Sequence, residues 1–124
     1  MREEIVHFFT DKEEEFVSLL AQIGIQKRTA RVLVFLANVP ETTSLAIERG
    51  TDLRQPEVSM AMKYLKNRGW VSITESPSEN KGRPKKVYRL AKPMTGILDI
   101  IESEKRAETR IRFDRIRKLR DYSG

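Results

Sequence analysis

The chain has 124 residues, no cysteine and a net charge of +6. That length suits one domain with a modest core, and the missing cysteines exclude a disulfide framework and any thiolate metal site. No run approaches the roughly 20 apolar residues that cross a bilayer, and the start, MREEIVHFFTDKEEE, lacks a signal-peptide core, so a soluble cytoplasmic protein is expected.

In chain order, Asp11 is placed to cap a first helix running to about Gln22, with Phe16, Leu19, Leu20 and Ile23 recurring at helical spacing. Gly24 ends it. A second helix, Lys27 to Asn38, is apolar around most of its circumference, which marks a central core helix; Pro40 stops it. Thr43 or Ser44 caps a short third helix ending near Gly50, and Thr51–Leu53 form a turn. Pro56 suits the first turn of a fourth helix, which runs from about 55 to Arg68 and is closed by Gly69. Its buried side is Val58, Ala61, Met62 and Leu65; its other side shows Gln55, Ser59, Met60, Lys63 and Asn67. Two short helices around a tight turn suggest a helix-turn-helix, although a plain helical hairpin satisfies the same periodicity.

The stretches Trp70–Glu75 and Val87–Ala91 alternate as strands, and the polar SPSENKGRP between them completes a β-hairpin. Five basic residues crowd its tip and returning strand: Lys81, Arg83, Lys85, Lys86 and Arg89. An edge strand uses some lysine to discourage aggregation, but this density exceeds that need. From Pro93 to Tyr122 the chain reads as one long helix. Ile97, Ile100, Ile101, Ala107, Ile111, Leu119 and Tyr122 fall on one face, interrupted by Glu104, Glu108, Arg115 and Lys118. It is expected to dimerise; folding back on its own domain is the alternative.

The charge is unevenly placed. Residues 51–92 hold ten basic and four acidic side chains, which equals the whole +6 excess. That asymmetry favours a polyanionic partner bound at one place. Enzyme chemistry is not expected. His7, the single histidine, sits in an apolar VHFF setting, and Glu13–Glu15 are consecutive, so on a helix they fan outward. No phosphate loop, GxSxG elbow or HExxH occurs, and no cofactor or metal is expected.

Three stretches in order, LLAQIGIQKRTARVLVFL, TSLAIERGTDLRQPEVSMAMKYLKNRGWVS and KGRPKKVYRL, resemble the winged helix-turn-helix regulators of the TrmB-like and MarR-like families. The resemblance covers roughly residues 16–91. It implies a mainly α fold with a small β-hairpin (α+β) and a winged helix-turn-helix over residues 1–92, which leaves the long helix over 93–124 as the expected C-terminal dimerisation helix. The implied function is transcription regulation by sequence-specific binding of double-stranded DNA, as a homodimer. A winged-helix module for protein–protein contact within the transcription machinery is the alternative. In the families the recognition helix, here about 55–68, enters the major groove, and the wing, about 76–86, meets backbone or minor groove. Arg54, Gln55, Ser59, Met60 and Lys63 would then touch bases, and Lys81, Arg83 and Lys85 the backbone or minor groove. Ile97, Ile101 and Ile111 would form the dimer interface.

Two departures stand out. Asp52 takes a turn position where the families often have Gly, and Arg54 replaces the usual Ser cap. An Arg at a helix N-terminus is electrostatically disfavoured unless an anion sits nearby. Longer TrmB-like members continue into a sugar-sensing domain; with the sequence ending at Gly124, none is expected here, and no effector is legible.

Overall fold

Helix α1 (Asp11–Gln22) starts at the residue expected to cap it, because Thr10 and not Asp11 supplies the cap. A computed structural model describes residues 9–76 and 84–124. In it the Thr10 hydroxyl accepts from the Glu13 N–H at 3.1 Å, and the Glu13 carboxylate accepts from the Thr10 N–H at 2.9 Å. This reciprocal pair satisfies two orphan donors, while Asp11 merely adds negative charge to the first turn. The apolar stripe is only partly used. Val17 and Leu20 are buried, whereas Leu19 and Ile23 are 54% and 41% exposed.

Helix α2 (Lys27–Ala37) is the centre of the unit Met1–Ala91. Ala30, Val32, Leu33, Val34, Phe35 and Leu36 are all buried, and the helix packs against α1 and three later elements. It ends before Pro40: Asn38 caps it, donating from Nδ2 to the Val34 carbonyl at 2.9 Å and to the Glu13 carboxylate.

Thr43 caps helix α3 (Ser44–Thr51), its hydroxyl accepting from the Ala46 N–H at 3.3 Å. Gly50 lies inside α3 instead of ending it. A Cβ there would stand 2.0 Å from Cε1 of Phe35, so only glycine lets α3 press this closely on α2. The left-handed residue that closes α3 is Asp52, at φ 59°. Asp reaches that region at a smaller penalty than most residues because its short side chain bonds locally.

Helix α4 (Gln55–Asn67) follows directly, with Pro56 in its first turn and Gly69 beyond its end at φ 74°. Val58, Ala61, Met62 and Leu65 face the core, which also holds Trp70, Ile47 and Val17. Removing one such side chain, as in Leu65→Ala, would cost about 2–5 kcal/mol.

Strands β1 (Val71–Ser76) and β2 (Lys85–Leu90) pair antiparallel, from Val71 opposite Leu90 to Ser76 opposite Lys85. Strand β2 thus begins two residues earlier than expected. Thr42 forms a one-residue bridge to Tyr88, with both reciprocal N–H···O bonds at 2.8 Å. The hairpin is therefore tied to the residue just before the α3 cap. The second unit, Lys92–Gly124, is helix α5 (Met94–Ser123), in which Ile97 and Ile101 are buried. From Lys105 onward every residue is exposed. No helix among the described residues is long and apolar enough to cross a membrane.

Candidate nucleic-acid interface

Helices α3 and α4 meet through a three-residue turn, Asp52–Arg54, and the position of that turn is fixed from α2. Arg31 donates from Nε to the Thr51 carbonyl at 3.2 Å and from Nη1 to Glu14 at 2.5 Å. Its guanidinium also lies 4.3 Å from the centre of the Phe9 ring. A cation on the last carbonyl of α3 complements the negative end of that helix. The Thr51 side chain is buried and donates to the Ile47 carbonyl at 2.6 Å. The start of the turn is thus held twice, from α2 and from within α3.

Core packing of Val58, Ala61, Met62 and Leu65 turns the opposite side of α4 to solvent. Gln55, Ser59, Met60 and Lys63 are all exposed there, and Met60 is 58% exposed. Arg54 is the N-cap residue, exposed and extended at φ −84°, ψ 158°. A guanidinium has no acceptor, so only half of a capping box forms: the Glu57 carboxylate accepts the Arg54 N–H at 3.1 Å. Side chains Arg54, Gln55, Ser59, Met60 and Lys63 therefore share one solvent-facing surface at the N-terminal half of α4.

The wing positions divide. Lys85 is exposed at the start of β2, while Lys81 and Arg83 lie outside the described residues. Strand alternation puts Lys85 and Arg89 on one face of the hairpin, with Arg89 also exposed. Lys86 points to the other face and stands opposite Glu75, a favourable cross-strand pairing. Arg89 was not singled out as a site residue from sequence, though the alternation carried the signal.

Two further cations come from α2. Gln26, Lys27, Arg28, Arg31, Leu53 and Glu57 line a shallow depression, which sets Lys27 and Arg28 beside the turn and the first turn of α4. Neither makes an ion pair among the described residues. Sequence reading missed them because they precede Arg54 by more than 25 positions, on a helix notable for its core. In the other unit, Ile97 and Ile101 are buried within the single chain, whereas Ile111 is 48% exposed. No cluster of His, Cys, Asp and Glu among the described residues is arranged to hold a metal.

Residues 23–83 match the MarR family model. No curated protein matches the chain. Among solved structures it is similar to TrmBL2, an archaeal chromatin protein whose structure shows a novel mode of DNA binding. That pair is 16% identical with a TM-score of 0.68, over 89% of this chain but only 40% of TrmBL2. A possible transcriptional regulator from Methanosarcina mazei Go1 is 15% identical with a TM-score of 0.67, covering 85% of this chain and 87% of the other. A MarR family regulator from Neisseria meningitidis is 22% identical with a TM-score of 0.52, over 79% and 68%. Sequence match and fold agree: residues 23–83 match the MarR family model, and the described residues have the winged helix-turn-helix fold of MarR- and TrmB-type proteins.

Proposed function

We propose that the chain is a transcriptional regulator that binds double-stranded DNA sequence-specifically, with α4 in the major groove. The observation that carries this reading is Arg54. An N-cap without an acceptor beside an exposed, polar helix face is a poor choice for stability and a good one for an anionic partner. A helix fits the major groove, and its N-terminal residues reach base edges. Arg54 then pairs with guanine, Gln55 with adenine, Ser59 and Lys63 follow along the groove, and Met60 packs on a thymine methyl. Lys81, Arg83, Lys85 and Arg89 on the wing, with Lys27 and Arg28 beside the turn, take the phosphate backbone and fix register.

The same reading makes the active form a homodimer joined through α5. Residues 99–104 of that helix carry Asp99, Glu102 and Glu104 and no base, while 105–120 carry eight bases and two acids. A parallel pair would stack like charges. An antiparallel pair crossing near Ile111 sets Glu104 opposite Lys118 and Glu108 close to Arg115. Ile111 supplies apolar contact together with exposed Leu119 and Tyr122, while Ile97 and Ile101 have little surface left to offer. Selection of bound duplexes from a random pool tests the function: an enriched near-palindrome is expected, bound with strong salt dependence. A pool that enriches nothing, with no salt-dependent binding, overturns it.

A further inference from the structure

Helix α5 carries charge that the dimer reading does not use. Residues 105–124 hold eight basic and three acidic side chains, and six of the eight are arginine. At about 100° per residue, Arg106, Arg110, Arg117 and Arg120 fall within one narrow sector. Ile111, Leu119 and Tyr122 occupy the opposite side. Every one of these residues is exposed. The helix therefore has an apolar side and, back to back with it, a ridge of four arginines with Phe113 among them.

We propose that this ridge is a second contact to duplex DNA, gripping the phosphate backbone without reading sequence. It shares the partner of the proposed function but none of the contacts made by α4 or the wing. The ridge runs from Arg106 to Arg120, about 21 Å at the helical rise, against one phosphate per about 3.4 Å of axis on each strand. Several phosphates lie within that reach. Arginine in place of lysine suits them, since its planar fork meets phosphate oxygens in pairs.

The cations are available. Arg110 and Arg120 form no side-chain hydrogen bond or ion pair among the described residues. Arg106 and Arg117 pair only within the helix, with Glu102 at 2.7 Å and Asp114 at 3.4 Å, and both carboxylates are more than half exposed. Exposed pairs of this kind contribute little and exchange readily for a phosphate. A lipid surface suits the helix less well, because Glu108, Arg112 and Arg115 interrupt the apolar side that would have to enter it.

The test is the full-length double variant Arg110→Gln/Arg120→Gln, titrated on a random duplex at several salt concentrations. Its salt slope should fall by about two units per bound chain, equivalent to roughly 30-fold weaker binding at 0.15 M salt. Preference among duplexes should stay as in the parent chain, whereas Gln55→Ala should change preference and leave the slope nearly intact. An unchanged slope in the double variant overturns the ridge and leaves the α4 reading standing. A reduced slope in a chain that shows no sequence preference supports the ridge while the α4 reading fails. Dissociation of the variant into monomers on sedimentation would assign the arginines to the contact between copies and overturn the proposal. Loss of binding to phosphatidylserine vesicles with DNA binding intact would overturn it as well.

Discussion

Arg54 stands where a helix prefers Ser, Thr, Asp or Asn, and Glu57 three residues on already provides the other half of a capping box. Arg54→Ser would complete that box. The domain should gain about 1 kcal/mol, visible as a rise of several degrees in thermal midpoint, and lose roughly 1–3 kcal/mol of binding on its best duplex. A variant that gains stability and keeps its duplex preference would show that Arg54 touches no base. Gly50 presents the opposite case, a residue held by packing. Gly50→Ala drives a methyl into the Phe35 ring and should cost about 1–3 kcal/mol; in a Phe35→Leu background the same change should cost less. Equal costs in both backgrounds, measured by denaturant unfolding, would place the strain elsewhere. At this scale sequence reading falters for a definite reason. A glycine near a helix end signals either a left-handed cap or a close approach, and only the position of Phe35 distinguishes them. Asp52 took the cap instead. The exchange of Thr10 for Asp11 as the first cap has the same origin, since both residue types cap and only backbone geometry decides.

Among elements, periodicity located α1 to α4, the hairpin and α5 to within about two residues at most boundaries, because apolar spacing reports which side faces a core. It does not report how much of that side the core covers. Leu19 and Ile23 on α1 belong to the stripe yet remain exposed, and Ile97 and Ile111 share a face of α5 with opposite burial. The Thr42–Tyr88 bridge was illegible because a one-residue strand has no period. On the wing, Lys85→Ala should weaken binding by similar factors on specific and random duplexes and lower the salt slope by about one unit. Selective loss of the preferred duplex would mean that Lys85 reads bases. The candidate surface on α4 was largely legible, because its buried side could be subtracted from its sequence. Lys27 and Arg28 were not, since only the fold brings α2 beside the turn.

For the molecule as a whole, a two-fold dimer would present two copies of α4 to one duplex, with half-sites about one helical turn or a multiple apart. Ile111→Glu combined with Leu119→Glu leaves the buried Ile97 and Ile101 untouched and should give a monomer on sedimentation, with much weaker binding to a palindromic duplex. A variant that stays dimeric places the interface elsewhere. Orientation has a separate test, because the chain has no native cysteine. Lys118→Cys should remain uncrosslinked in an antiparallel pair, whose two copies of position 118 lie far apart, while Ile111→Cys should crosslink readily. Crosslinking of both would indicate parallel helices. Exposed ion pairs contribute little energy, so the charges would set direction and the apolar side chains affinity.

The bridge between Thr42 and Tyr88 has a consequence in hydrogen exchange. Each residue donates its amide to the other's carbonyl, so drawing the two segments apart opens both bonds together. Their protection against deuterium should therefore be nearly equal, although the residues lie 46 positions apart in sequence. The outer rungs of the hairpin, from Glu75 opposite Lys86 to Ser76 opposite Lys85, can fray without disturbing that pair. The described rungs thus divide at Tyr88 into a root that opens with the start of α3 and outer rungs that open alone, and a bound duplex that holds those outer rungs would slow exchange there first.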